Sequence, residues 1–327
     1  MRVFVAGASG AIGRPLVRQL LAAGHEVTGM TRREQKAEEI RAAGAKAVVC
    51  DVFDAAALEK VLGEAAPEVV IHELTSLPPR LDPKAKDDPL EPTNRLRSEG
   101  TRNLIAAAKA AGARRLIAES VAFFYVPEGD WVKTEDAPAF AEAPGPFGKA
   151  GRALADLERQ VTETEALEGV VLRYGWLYGP GTYYDRDGSQ TEDFHKRRMP
   201  IVGKGAGTFS FIHVEDAASA TVAAVERGEP GVYNVVDDEP APMSEWAPVF
   251  ADAVGAKKPR RVPAWLARLI AGSAAVGMAT NQRGASNAKA KRELGWRPRY
   301  SSWREGFVAP AEPPAAPTRA ASGGAAS

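Results

Sequence analysis

Over the first 120 residues, short β-branched runs alternate with longer stretches whose apolar positions recur every three or four residues. The runs lie at 3–6, 27–30, 47–50, 69–72 and 115–118, and they are apolar almost throughout, as strands buried on both faces are. Helical periods fill the intervals at 14–23, 33–43, 55–65 and 94–111, most of them closed by a helix stop: Gly24, Gly44, Pro67 or Gly112. Five strand runs alternating with four helical periods predict an α/β fold on a doubly wound parallel sheet.

Beyond residue 120 the alternation thins. A segment rich in Pro, Asp and Lys at 78–92 falls where such a fold places a loop at the carboxyl edge of its sheet, and is expected to be a flap. A second Pro-rich loop, 126–146, precedes a helix at 147–165 and a strand at 170–173. The expected organisation is a sheet domain over 1–180 with a returning segment near 208–237, and a smaller, interleaved C-terminal substrate lobe over 181–308. Residues 309–327, almost all Ala, Pro, Gly and Ser, read as a disordered tail.

Charge and cysteine content narrow the partners. Lys plus Arg and Asp plus Glu each number 42 in 327 residues, a net charge of zero that argues against nucleic acid or an anionic membrane as the main partner. The most apolar stretch, 265–278, is broken by Arg268 and falls short of the roughly 20 residues a bilayer span needs. Glycines at 7, 10 and 13 interrupt any signal-peptide core. A single cysteine, Cys50, excludes an intrachain disulfide, and the expected compartment is the cytoplasm. The four histidines lack metal-ligand spacing, so no metal site is expected.

The strongest chemical signal is the first strand running into Gly7-Ala8-Ser9-Gly10-Ala11-Ile12-Gly13 and then a helix. The first glycine permits a tight turn, the second lets backbone approach a pyrophosphate, and the third allows close helix–strand packing. Gly7, Ser9, Gly10, Ala11, Ile12 and Gly13 are therefore expected to bind a dinucleotide at the helix N-terminus. After the second strand stand Thr31, Arg32 and Arg33, where an NAD site would carry an acid for the ribose hydroxyl. Arginines pair instead with a 2′-phosphate, which favours NADP, with NAD as the alternative. Asp51, after the third strand, is placed for the adenine edge, while Asp54 is the better cap for the next helix.

With these residues the chain resembles the extended short-chain dehydrogenase/reductases of the NAD-dependent epimerase/dehydratase family. The resemblance rests on the glycine turn, Asp51-Val52, Val69-Val70-Ile71-His72 and Gly100-Thr101-Arg102-Asn103-Leu104. It continues through Leu172-Arg173-Tyr174-Gly175-Trp176-Leu177-Tyr178-Gly179-Pro180-Gly181, Phe211-Ile212-His213-Val214-Glu215-Asp216, Val232-Tyr233-Asn234-Val235 and the run from Ala288 to Trp296. It implies a Rossmann sheet, Val52 beside the cofactor, a small-molecule substrate and a homodimer, but no particular reaction.

The family's reaction centre is a Tyr-x-x-x-Lys pair on one helix face with a Ser or Thr at a strand end. Here Phe147 falls at the Tyr position and Gly151 at the Lys position, and no tyrosine in the chain is followed four residues later by lysine. The family's hydroxyl falls at Val121, with Ser120 one residue early and, by strand alternation, on the wrong side. Candidates for replacement chemistry are Ser120, Tyr178, Glu73, as a base if its pKa were raised, and Lys149. Tyr174 and Trp176 are expected to line the substrate cleft, and Tyr183 a lid. Phe209 and Ser210 stand where relatives acting on nucleotide sugars carry an Arg, which favours an apolar substrate. The expectation is an oxidoreductase acting on a small apolar carbonyl or alcohol. The alternatives are a non-redox isomerase, cyclase or lyase, and a non-catalytic NADP(H)-sensing protein.

Overall fold

The computed structural model describes residues 1–80, 88–140 and 145–309. Parts of the expected flap, at 81–87, and of the second expected loop, at 141–144, and the expected tail from 310 to 327 lie outside them. The chain opens with β1 (Arg2–Ala6), α1 (Gly13–Ala22), β2 (Glu26–Thr31), α2 (Glu34–Ala42), β3 (Lys46–Val49), α3 (Ala55–Ala65) and β4 (Val69–His72). There follow α4 (Glu91–Arg95), a π-helical turn at Leu96–Gly100, α5 (Thr101–Ala110), β5 (Arg115–Val121), α6 (Gly145–Thr162) and β6 (Glu168–Tyr174). Next come α7 (Ser189–His195), α8 (Val214–Glu226), β7 (Gly231–Val235), α9 (Met243–Ala253), α10 (Ala264–Asn281), α11 (Ala288–Glu293) and α12 (Trp303–Val308).

The seven strands form one parallel sheet in the order β7-β6-β5-β4-β1-β2-β3. The order in which strands are added reverses between β1 and β4, the point at which open α/β sheets leave a crevice for ligands. Strand alternation divides the core. Val3, Val5, Ile71, Ile117, Leu172 and Tyr174 face the layer of α1 and α8, whereas Phe4, Val70, Leu116, Ala118 and Val171 face α3, α5 and α6. Leu16 and Leu20, both fully buried on α1, each contribute roughly 2 kcal/mol through burial alone.

A third apolar core belongs to the C-terminal lobe. Tyr178, Tyr184, Phe194, Phe209, Phe211, Trp246, Phe250 and Trp303 pack there, mostly edge to face. A short parallel pair, Trp176–Tyr178 with Phe211–His213, joins lobe to sheet. The carboxylate of Asp216 on α8 accepts the Arg299 and Tyr300 amides, and that of Asp237 accepts those of Glu239 and Trp303, tying the last segment to the body.

Candidate active site

At the glycine turn, Gly7 has φ 98° and a Cβ there would lie 2.4 Å from the Glu73 carbonyl oxygen. A Cβ on Gly13 would lie 2.2 Å from the Gly7 carbonyl, so α1 closes directly on the turn. No side chain caps α1 at Ile12 and no acid stands in its first turn, leaving its leading amides open to a phosphate. These features fit a dinucleotide pyrophosphate.

Around that cradle, Ser9 Oγ lies 3.3 Å from Thr31 Oγ1, joining turn to β2. Arg32 and Arg33 are exposed, and among the described residues neither has an ion-pair partner. Asp51 is exposed with its Oδ1 accepting the Phe53 amide at 3.0 Å, while Val52 is buried and its carbonyl accepts Asn103 Nδ2. Asp54 caps α3 by accepting the Ala57 amide. One edge of the crevice therefore presents backbone amides, a hydroxyl pair and two free guanidinium groups.

The sequence-derived catalytic candidates do not converge. Ser120 is 1% exposed and donates to Glu158 Oε1 on α6 at 2.7 Å; Glu158 in turn holds Arg173 through two bonds, at 2.8 and 2.6 Å. Ser120 thus points into the sheet–helix interface. Lys149 leaves α6 toward solvent, 3.7 Å from Asp88. Tyr178 sits in the lobe core against Phe211, His213 and Phe307, its buried hydroxyl without a partner among the described residues and its acidity suppressed by burial. Tyr183 donates to the Pro78 carbonyl at 2.7 Å, linking the two loops over the cleft.

Tyr174 corrects an expectation. The strand runs one residue further than its β-branched run suggests, so Tyr174 is its last member and turns inward, 1% exposed, rather than lining the cleft. Its hydroxyl donates to Glu73 Oε1 at 2.8 Å and lies 2.6 Å from Thr221 Oγ1. Burial, then the neighbouring Glu119, raises Glu73 well above the usual carboxylate range. A buried carboxyl held by the Tyr174 hydroxyl is a structural group, not an exposed base.

The same floor carries groups that sequence reasoning missed. His72 is fully buried and its Nδ1 accepts the Leu74 amide, so Nε2 carries the proton toward Thr101 Oγ1, 3.1 Å away. Burial, with Arg97 second, lowers His72 to about 4. Arg97, on the π turn, lies 3.8 Å from Glu119 on β5, and both are nearly sealed from solvent. Burial outweighs their attraction, raising Glu119 and lowering Arg97. The available signal was periodic: Thr93, Arg97, Thr101, Leu104 and Ala108 form the buried stripe of the helical run, and a cation there is out of place.

Past the carboxyl ends of β5 and β6 the chain is aromatic. Phe123 and Phe124 follow β5, Trp176 follows β6, and Phe147 occupies the start of α6; all four are half-buried. Phe123 stacks on Trp176 with centroids 4.3 Å apart and planes 18° from parallel, and Phe124 lies 6.3 Å from Phe147. Trp176 and Phe147 had been singled out; the signal for the other two was the Phe123-Phe124 pair after a core strand. A cavity of about 900 Å³ lies elsewhere. It sits behind the glycine turn, between Arg14 and Arg18 of α1 and Tyr178, Phe250 and Phe307 of the lobe, and the aromatic wall does not line it.

The sequence model of the NAD dependent epimerase/dehydratase family matches residues 3–235. A 3-diazoavenalumate denitrifying reductase from Streptomyces sp is 47% identical over 94% of this chain and 99% of its own. A UDP-glucose 4-epimerase from Thermus thermophilus, solved with NAD, is 25% identical, covers 94% of this chain and 97% of its own, and superimposes with a TM-score of 0.67. A human epimerase family protein solved with NADPH shares the fold at 20% identity, covering 94% of this chain and 98% of its own, with a TM-score of 0.71.

Proposed function

The chain belongs to the NAD dependent epimerase/dehydratase family, and from that premise we propose that it is an NADPH-dependent reductase of diazo-substituted aromatic carboxylates. It replaces the diazo group by hydrogen and releases dinitrogen. The observation that carries this reading is the aromatic wall of Phe123, Phe124, Phe147 and Trp176, with a phenylalanine where the family places its proton-donating tyrosine.

Reduction of a carbonyl creates an alkoxide that must be protonated, which is the work of a Tyr–Lys pair. An aryl diazonium ion makes no such demand. The C–N bond breaks, dinitrogen leaves with that electron pair, and hydride brings the pair that forms the new C–H bond; no proton enters. A bound dihydronicotinamide would supply the hydride. The chain's own residues bind and orient: stacked indole and phenyl faces suit a flat, electron-poor, cationic ring, and their apolar surface keeps water from the reactive carbon. The 47% identical denitrifying reductase supports the substrate class. This reading replaces the small carbonyl or alcohol expected from sequence.

For the cofactor, Arg32 and Arg33 support NADPH over NADH. Single-turnover mixing with an aryl diazonium carboxylate tests the whole reading. The expected result is one dinitrogen released per NADPH oxidised, and little NADPH oxidation across a panel of ketones and aldehydes. Rapid ketone reduction with an inert diazo substrate would overturn it.

A further inference from the structure

From Ala253 to Arg292 the chain contains no acidic residue, although acids and bases balance over its whole length. Within that stretch Lys257, Lys258, Arg260, Arg261 and Arg268 are all exposed, and Lys204 adjoins them through its carbonyl, which accepts Arg261 Nη1. Among the described residues only Lys258 has an acidic partner, Asp252 at 3.8 Å. In the midst of these cations α10 begins with two turns whose large side chains stand in solvent. Trp265 is 65% exposed, Leu269 78% and Ile270 64%, with Leu266 beside them. The pairs 265/269 and 266/270 each lie one helical turn apart. Ala267 anchors the segment in a small core with Val202 and Val276, and the backbone breaks at Gly272, with φ 83°.

We propose that this patch docks the protein reversibly on an anionic phospholipid surface, with Trp265, Leu266, Leu269 and Ile270 entering the headgroup region and the surrounding cations meeting lipid phosphates. Short amphipathic segments with Trp and Leu on one side and Lys or Arg around them lie in membrane interfaces in this way. Charge selects this occupant over a second copy of the chain, because a two-fold contact through α10 would bring the same cations face to face. Shape selects it over a folded protein partner: the apolar side chains stand proud and line no groove, which a fluid surface accommodates. Zero net charge had argued against a membrane partner, but the charge that decides is local.

The test is cosedimentation of the full-length protein with phosphatidylcholine vesicles, with and without about one quarter phosphatidylglycerol. The expected result is at least roughly tenfold stronger partitioning to the anionic vesicles, reversed by high salt. Replacing Trp265, Leu269 and Ile270 together by Ser, or Arg260 and Arg261 by Gln, is expected to abolish it while NADPH binding persists, which verifies folding. Equal partitioning to both vesicles, or unchanged binding by either variant, overturns the proposal. So does a wild-type dimer that the triple serine variant converts to monomer, or tighter binding to polyglutamate than to the vesicles.

Discussion

Arg32 and Arg33 stand where β2 passes into α2, exposed and without ionic partners among the described residues. Replacing both by Ala is expected to raise the Kd for NADPH roughly tenfold or more while leaving NADH almost unchanged, since only the former carries a phosphate to pair. Fluorescence titration with the two cofactors checks this. His72 carries a pH prediction. Unfolded, it takes up a proton near 6.5, but in the fold it resists protonation down to about 4. The unfolded state therefore binds more protons between those values, so stability is full above 6.5, falls as pH drops toward 4, and levels off below. The loss is of order 3 kcal/mol and is expected to disappear from the difference curve in His72→Gln. Chemical denaturation at several pH values measures it. At this scale the glycine turn and the arginine pair were legible, because their chemistry is local. The inward turn of Tyr174 and the Arg97–Glu119 contact were not: each depends on where a strand ends or where another element passes over it.

Among elements, the joint between α6, β5 and β6 is the one most exposed to a single change. Ser120, Glu158 and Arg173 form one buried polar clasp, and Arg173 also donates to Tyr125 Oη and the Glu135 carbonyl. Glu158→Ala strands a buried guanidinium and is expected to cost about 3–5 kcal/mol in urea unfolding, whereas Ser120→Ala, which leaves that ion pair intact, costs about 1 kcal/mol and leaves diazo turnover unchanged. Strand alternation foretold which way Ser120 points, since a one-residue offset reverses a side chain. Periodicity gave the helix at 94–111 as one run, but a π turn at Leu96–Gly100 interrupts it. A one-residue insertion in a helix leaves no periodic mark over so short a span. The two-residue strands of the lobe were equally invisible, too short for any alternation to register.

For the whole molecule, the sheet supplies a rigid edge and the lobe supplies apolar cover, and the two meet at Trp176, which the short pair with Phe211–His213 holds in place. The parallel sheet follows from the repeated strand–helix pattern, whereas the order of its strands does not. The orientation of the lobe's aromatic residues did not follow, because it is set by packing between segments far apart in the chain. If the reaction needs no proton from the protein, its rate with a diazonium substrate is expected to stay flat between about pH 6 and 9, and Phe147→Tyr is expected to leave it unchanged within about twofold. Stopped-flow measurement of NADPH oxidation across that range checks both. The central claim is direct hydride replacement of the diazo group. A single turnover with NADPH deuterated at both C4 positions, in ordinary water, tests it by mass spectrometry of the product. One deuterium at the carbon that bore the nitrogen is the predicted result; a product carrying only solvent hydrogen, or dinitrogen released with the cofactor unoxidised, would contradict it.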